Sequence, residues 1–315
     1  MNAKRAGILF CAIVLVSTVI ELLLTFTPLA EYMGLPGTLA ASELIMIVPC
    51  LIAFALCTEP VGQTFGGRKV QPALGPLGIL FTWSWLPAVT CCNAFTMYFT
   101  ENETTAIFQS LSDLPLPVIA LFTAVIAPVC EEWTFRGILY TGFRKNGSAV
   151  QAILLTAVLF GAFHMNLNQM VYAMVLGVVF AVLREVTGSI VPSIICHITV
   201  NGGSTLLLLL ESDKLTETLE ESAGGMSAES ISVILAMLIP VAAVMGAMAL
   251  ALLIKIAKTQ KALPRLLDIP AGRVRERGKV MGTPVILGLA ICLAFVCIEL
   301  FMSQIIEFLQ GSGVQ

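Results

Sequence analysis

Nine apolar stretches, each close to the length of a bilayer-crossing helix, constrain this chain more than any other feature. A helix rises about 1.5 Å per residue, so about 20 apolar residues cross the hydrocarbon core. Such stretches run over residues 7–27, 39–57, 73–99, 115–143, 148–164, 169–183, 188–210, 231–256 and 284–309. The fifth and sixth are short and fit a tilted or partly irregular span. Of the 315 residues only 12% are charged, against about 25% in a soluble domain. That is too little charge to solvate a surface in water. The expected fold is therefore all-α, a polytopic transmembrane helical bundle of about nine spans. No linker or internal repeat divides the chain, so residues 1–315 read as a single integral membrane domain. No basic tract is interleaved with aromatic residues, so the expected surroundings are the lipid bilayer and no nucleic acid.

Loop charges test the count. Lys4 and Arg5 precede the first stretch, which predicts a cytoplasmic N-terminus by the positive-inside rule. Every second connection should then be basic. These connections carry Arg68 and Lys69, then Arg144 and Lys145, then Arg184, then a long segment from Lys255 to Lys279. The alternate connections are acidic, with Glu101, Glu103 and Asp113 in one and Glu211, Asp213, Glu217, Glu220 and Glu221 in another. A miscounted span would break this alternation. No clear small-x-small cleavage site follows the first stretch, so it reads as a span rather than a signal peptide. Asn102-Glu103-Thr104 matches a glycosylation acceptor, which has meaning only on a eukaryotic secretory route. The nine cysteines lie in or at the ends of apolar stretches, as small packing residues rather than a disulfide or zinc framework.

Ionisable groups inside a bilayer are costly and mark function by default. They concentrate in three places. The fourth stretch carries Glu131-Glu132-Trp133-Thr134-Phe135-Arg136 after Pro128. Glu132 and Arg136 are four apart and share a helix face, so they can pair. Glu131 lies about 100° round the helix and points at a different neighbour. One carboxylate is thus held by the arginine while the other is left free to take a proton. The fifth stretch ends on Phe160-Gly161-Ala162-Phe163-His164, and the seventh holds His197-Ile198-Thr199-Val200-Asn201. These are the chain's two histidines. Alone, each is as well explained by packing. Three polar sites on three apolar spans must nevertheless find partners, because lipid supplies none. Gathering them between helices is the cheapest solution.

Two chemistries are open to such a set. A glutamate and a histidine can deprotonate water while a histidine and an asparagine donate to an oxyanion. Alternatively Glu131, His164 and His197 could ligate zinc, with the fourth position left to water. The zinc pattern His-Glu-x-x-His is absent. Ser193 and Cys196 lie near His197 in sequence but on other faces of the helix.

Glu131-Glu132-x-x-x-Arg136, Phe160-x-x-x-His164 and His197-x-x-x-Asn201 resemble the three signatures of the CAAX-protease and bacteriocin-processing family of intramembrane proteases. The resemblance covers roughly residues 115–203. It implies an all-α membrane fold with a catalytic core over 115–210, and endopeptidase activity on membrane-associated protein or peptide substrates. It also implies a bacterial plasma membrane as the location. By the same resemblance Glu131 is the general base, assisted by His164, His197 and Asn201 stabilise the oxyanion, and Glu132 and Arg136 set the geometry. The family is commonly labelled metalloprotease, which keeps zinc open beside a metal-free glutamate mechanism.

Two other readings compete. A proton-coupled transporter also buries Glu, His and Arg, and Glu21, Glu43 and Glu299 add carboxylates on other spans. It would need an inverted repeat or paired broken helices, which the sequence lacks. A non-catalytic immunity or scaffold protein would have no need of every motif residue. One misfit remains: with straight spans, His197 sits nearer the basic side than Glu131 and His164. The seventh span must tilt, start deeper or break near Pro192.

Overall fold

Helices occupy all nine predicted stretches. The computed structural model describes residues 1–55, 61–100, 102, 111, 114–210, 227–274, 276 and 278–311, and gives no side-chain detail for 61, 63, 207–210 and 303–311. The acidic connection residues Glu101, Glu103, Asp113, Glu211, Asp213, Glu217, Glu220 and Glu221, most of the Asn102-Glu103-Thr104 triplet, Arg275 and Arg277 lie outside the described residues. No strand occurs among the described residues. Seven helices there are long and apolar enough to cross a membrane, and the protein is an integral membrane protein.

In chain order the helices are α1 (Ala3–Phe26), α2 (Leu29–Ala55), the short α3 (Val61–Phe65), α4 (Leu74–Trp83) and α5 (Leu86–Thr96). A long interrupted helix follows, α6 (Leu116–Asn146). Then come α7 (Ala149–Phe163), α8 (Leu167–Thr187), α9 (Val191–Leu210), α10 (Ala228–Thr259), α11 (Leu263–Asp268) and α12 (Thr283–Gly311). The predicted third span is two helices, α4 and α5, meeting at Ser84 and Trp85. The predicted second span begins ten residues early, with Gly34 at φ 63° turning the chain inside α2.

Local chemistry sets the boundaries of the central pair. Ser148 and Gln151 form a reciprocal capping box at the start of α7, which satisfies two orphan N–H groups. Asn166 caps α8, and Gly188 ends it in the left-handed conformation at φ 74°, where glycine carries no Cβ penalty. At Gly177 a Cβ would stand 2.9 Å from the Ala157 Cα. A small residue there lets α7 and α8 approach closely, as interfaces in lipid require.

Two apolar cores share α8. One gathers residues of α1, α2, α6, α7 and α12, including Phe10, Phe135 and Phe160. The other gathers α4, α8, α9, α10 and α11, including Phe81, Phe180 and Leu183. Helix α8 lies between them, with 61% of its membrane window buried against 6% for α10. The outer helices leave their apolar faces for lipid, so the polar residues of α6, α7 and α9 are enclosed at the middle.

Candidate active site

Helix α6 is built to present its carboxylates. Pro128 lacks an N–H for the helical ladder, which would ordinarily kink the helix. Instead π-helical segments, Ala120–Ile126 and Trp133–Leu139, flank the α-helical turn Ala127–Glu132. The wider ladder absorbs the missing donor, and π segments are often found at functional sites. Both glutamates fall on the short α turn between them.

Glu132 and Arg136 make the predicted pair, with Arg136 Nη1 donating to Glu132 Oε1 at 2.7 Å and both side chains fully buried. The guanidinium also stacks over the Phe160 ring, 4.2 Å from its centroid, and Nη2 donates to the Gly177 carbonyl. His197 joins the same carboxylate, its Nδ1 3.1 Å from Glu132 Oε1. A carboxylate oxygen accepts, so Nδ1 carries a hydrogen and Nε2 is turned the other way. Nε2 lies 3.5 Å from Glu131 Oε2. One imidazole thus bridges the two adjacent carboxylates, stacked on Phe180 at 4.7 Å. The Glu132–Arg136 pair is neutral, and one proton shared between Glu131 and His197 Nε2 makes the whole set neutral. That is the condition under which charges are tolerated away from water.

Glu131 is the most open member, its side chain 19% exposed. His164 caps α7 and stands edge-on to Phe160 at 5.1 Å, while His197 meets the same ring at 5.9 Å. The two histidines therefore flank one phenylalanine. His164 Nδ1 is 2.9 Å from the Phe160 carbonyl, which can only accept, so its Nε2 is the ring's acceptor. Met165 follows at φ 57°, a strained position for a bulky residue that fixes the turn next to His164. Asn201 lies one turn beyond His197 and spends one Nδ2 hydrogen on the Thr123 carbonyl at 3.0 Å.

Helix α9 brings His197 to Glu131 without a break near Pro192. Helix α9 starts deep: Ser189 and Ile190 are buried, Ile190 N–H donates to the Phe65 carbonyl, and Pro192 sits in the first turn of α9 rather than breaking it. Of the zinc candidates, Glu131 Oε2 and His197 Nε2 face each other, but a catalytic zinc takes three protein ligands. Among the described residues no three His, Cys, Asp or Glu side chains converge on one ion position.

In the sequence Glu43 is one more carboxylate on another span. The structure puts it on α2 beside Cys130 and within electrostatic range of Glu131, with Oε2 buried and unpartnered. No spacing rule could have found it, because α2 and α6 are far apart in sequence. Glu299 takes hydrogen bonds from Thr100 and from the Leu167 N–H, a structural use at the start of α8. Ser193 donates to the Ile190 carbonyl and is no nucleophile paired to histidine. A readable signal was missed lower on α6. Glu132, Arg136, Tyr140 and Arg144 recur every four residues, and Tyr140 and Arg144 both reach Glu185 of α8.

Residues 113–203 match the family of type II CAAX prenyl endopeptidases described as Rce1-like. The matched stretch contains every residue of the cluster from Glu131 to Asn201. A Bacillus subtilis (strain 168) protein named "Putative membrane peptidase YdiL" is 27% identical over 124 residues, 39% of this chain and 49% of that protein. The alignment thus spans about half of that relative. No solved structure matches the chain.

Proposed function

We propose that the protein is an intramembrane endopeptidase of the bacterial plasma membrane, hydrolysing a peptide bond of a membrane-associated protein or peptide. The observation that carries the reading is Glu131. It is an open carboxylate aimed at His197 Nε2, and that imidazole is held from behind by the buried Glu132–Arg136 pair. The family match over residues 113–203 supports peptide hydrolysis as the chemistry.

In this mechanism Glu131 takes a proton from a water molecule whose oxygen attacks the scissile carbonyl carbon. His164 Nε2 accepts a hydrogen bond from the same water and fixes its direction. The carbonyl oxygen becomes an oxyanion, stabilised by protonated His197 and by the second Nδ2 hydrogen of Asn201. The carbon–nitrogen bond then breaks, and the proton held by Glu131 passes to the leaving amine. The products are a carboxylate and an amine. Glu132 and Arg136 touch no substrate; they fix the ring of His197, as second partners fix catalytic histidines elsewhere.

The test is comparative proteomics of membranes from cells expressing the wild-type chain or Glu131→Gln, which keeps volume and removes the base. The expected result is loss of defined fragments and accumulation of their uncut precursors in the variant. Identical proteomes, with both proteins expressed and the wild-type host carrying its own substrates, would move a transporter or scaffold role ahead of catalysis.

A further inference from the structure

Lipid offers a buried polar atom no partner, so each is expected to find one within the protein. A serine or threonine inside a helix has a ready acceptor, the carbonyl one turn back. Thr123, Thr156 and Thr187 all use it, donating to Ile119, Ala152 and Leu183 at 2.8, 2.7 and 2.6 Å. Ser17 Oγ and Thr18 Oγ1 of α1 do not. Both atoms are buried and have no partner among the described residues, and the same holds for Glu43 Oε2 of α2. Three orphaned oxygens therefore belong to one pair of helices.

They also fall at one level of that pair. The chain turns at Gly34, and α2 then runs back along α1. Ile13 and Val14 of α1 share an apolar core with Met46 and Cys50 of α2. Ser17 and Thr18 lie four residues after Ile13 and Val14, and Glu43 lies three before Met46. Both steps lead toward the turn, each about 5–6 Å at the helical rise. The orphaned oxygens thus stand just outside the edge of the core. Glu21 follows on the same face of α1, four residues beyond Ser17, and is exposed. In the other direction the Glu43 carboxyl lies beside Cys130 of α6, and Glu131 is the next residue. Cys50 Sγ and Thr134 Oγ1, 3.3 Å apart, hold α2 to α6 at this place. Polar groups therefore succeed one another from the exposed turn end to the candidate active site, through a hairpin that is otherwise apolar.

We propose that Ser17, Thr18 and Glu43 hold a file of water molecules that leads from the α1–α2 turn to Glu131. A buried water makes about three hydrogen bonds to otherwise unsatisfied polar groups, and hydroxyl and carboxyl oxygens offer them from both helices. The inference rests on the reading of Glu131 as the base that activates water. Hydrolysis consumes water at every turnover, and on the side of His197 the cluster is walled by Phe160 and Phe180. Glu43 passes water to the base and takes no proton from it.

The experiment is radiolytic hydroxyl labelling of the purified full-length chain in heavy-oxygen water, mapped residue by residue by mass spectrometry. Radicals formed from protein-bound water mark the side chains beside it. Met46 and Cys130 border the file at 4% and 9% exposure, and Cys11, 7% exposed on α1 but away from it, is the matched control. The expected result is strong labelling of Met46 and Cys130 in the wild type and little of Cys11. Ser17→Ala/Thr18→Val and Glu43→Leu should each lose most of the label at Met46 and Cys130. Glu43→Gln keeps a polar partner for water and should keep the label. Removing orphaned oxygens should not lower the unfolding midpoint, which thermal unfolding checks. Wild-type Met46 and Cys130 labelled no more than Cys11 overturns the file, whatever the variants do. So does label unchanged in Ser17→Ala/Thr18→Val. Labelling needs no substrate: a failed file shows as missing label with cleavage intact, and a failed protease reading as intact label without cleavage.

Discussion

Two polar centres sit on the same helix two turns apart, and they solve the problem of charge in a membrane protein differently. The upper one, around Glu132 and Arg136, balances itself. Each buried charge has a partner of opposite sign, and three aromatic contacts enclose it. The lower one pairs Arg144 with Glu185 and rests Arg184 on the carbonyls of Arg136 and Thr64, beside an open cavity of about 490 Å³. A balanced, closed cluster is pre-organised, with its geometry set before any ligand arrives, as chemistry needs. The difference separates an enclosed centre suited to reaction from one that faces a cavity.

Breaking the balance of the upper centre gives the largest effect on stability. Arg136→Met leaves Glu132 buried without its cation and should cost about 3–5 kcal/mol, read as a large fall in the unfolding midpoint in detergent. The double variant Glu132→Gln/Arg136→Met removes both charges and should recover most of that loss. If the double variant is as unstable as the single, the centre is not held by charge balance. His197→Ala sharpens the comparison on the side of function. It should lower the cleavage rate about a hundredfold or more while costing less stability than Arg136→Met, as parallel rate and melting measurements would resolve. In the lower centre Glu185→Gln removes one of two carboxylates. It should loosen Arg144 and Tyr140 by about 1–3 kcal/mol, read as a smaller fall in the unfolding midpoint than that of Arg136→Met. The smallest effect expected is from Glu43→Gln, a rate change within about tenfold, because Glu43 neighbours Glu131 without contacting His197.

Much of this was legible in the residues. Apolar length alone marks where the long helices run, because crossing distance and helical rise are fixed. The Glu132–Arg136 contact follows from four-residue spacing, and bringing His197 to the same place follows from the need of polar groups to meet in lipid. The sequence could not tell which carboxylate each histidine would face. The resemblance set His164 beside Glu131, and the structure adds His197, whose Nε2 stands 3.5 Å from Glu131 Oε2, because that contact depends on how α6 and α9 rotate about their axes. Hydropathy says that a helix crosses and is silent about rotation. The π segments around Pro128 and the deep start of α9 were hidden for a related reason. Both are settled by packing against helices distant in the chain, Gly177 and Phe65 among the contacts. The alternating basic connections predicted a side of the membrane but not a cavity, since charge counting carries no distances.

The central claim is that Glu131 activates the attacking water, and the most direct measurement is single-turnover cleavage by the purified, reconstituted chain. The substrate is a precursor identified from the membrane proteome, and the solvent is heavy-oxygen water. The account predicts one labelled oxygen in the new C-terminal carboxylate and a rate about a thousandfold lower for Glu131→Gln, with the variant melting at the wild-type temperature. Cleavage at an undiminished rate by a folded Glu131→Gln protein would contradict it.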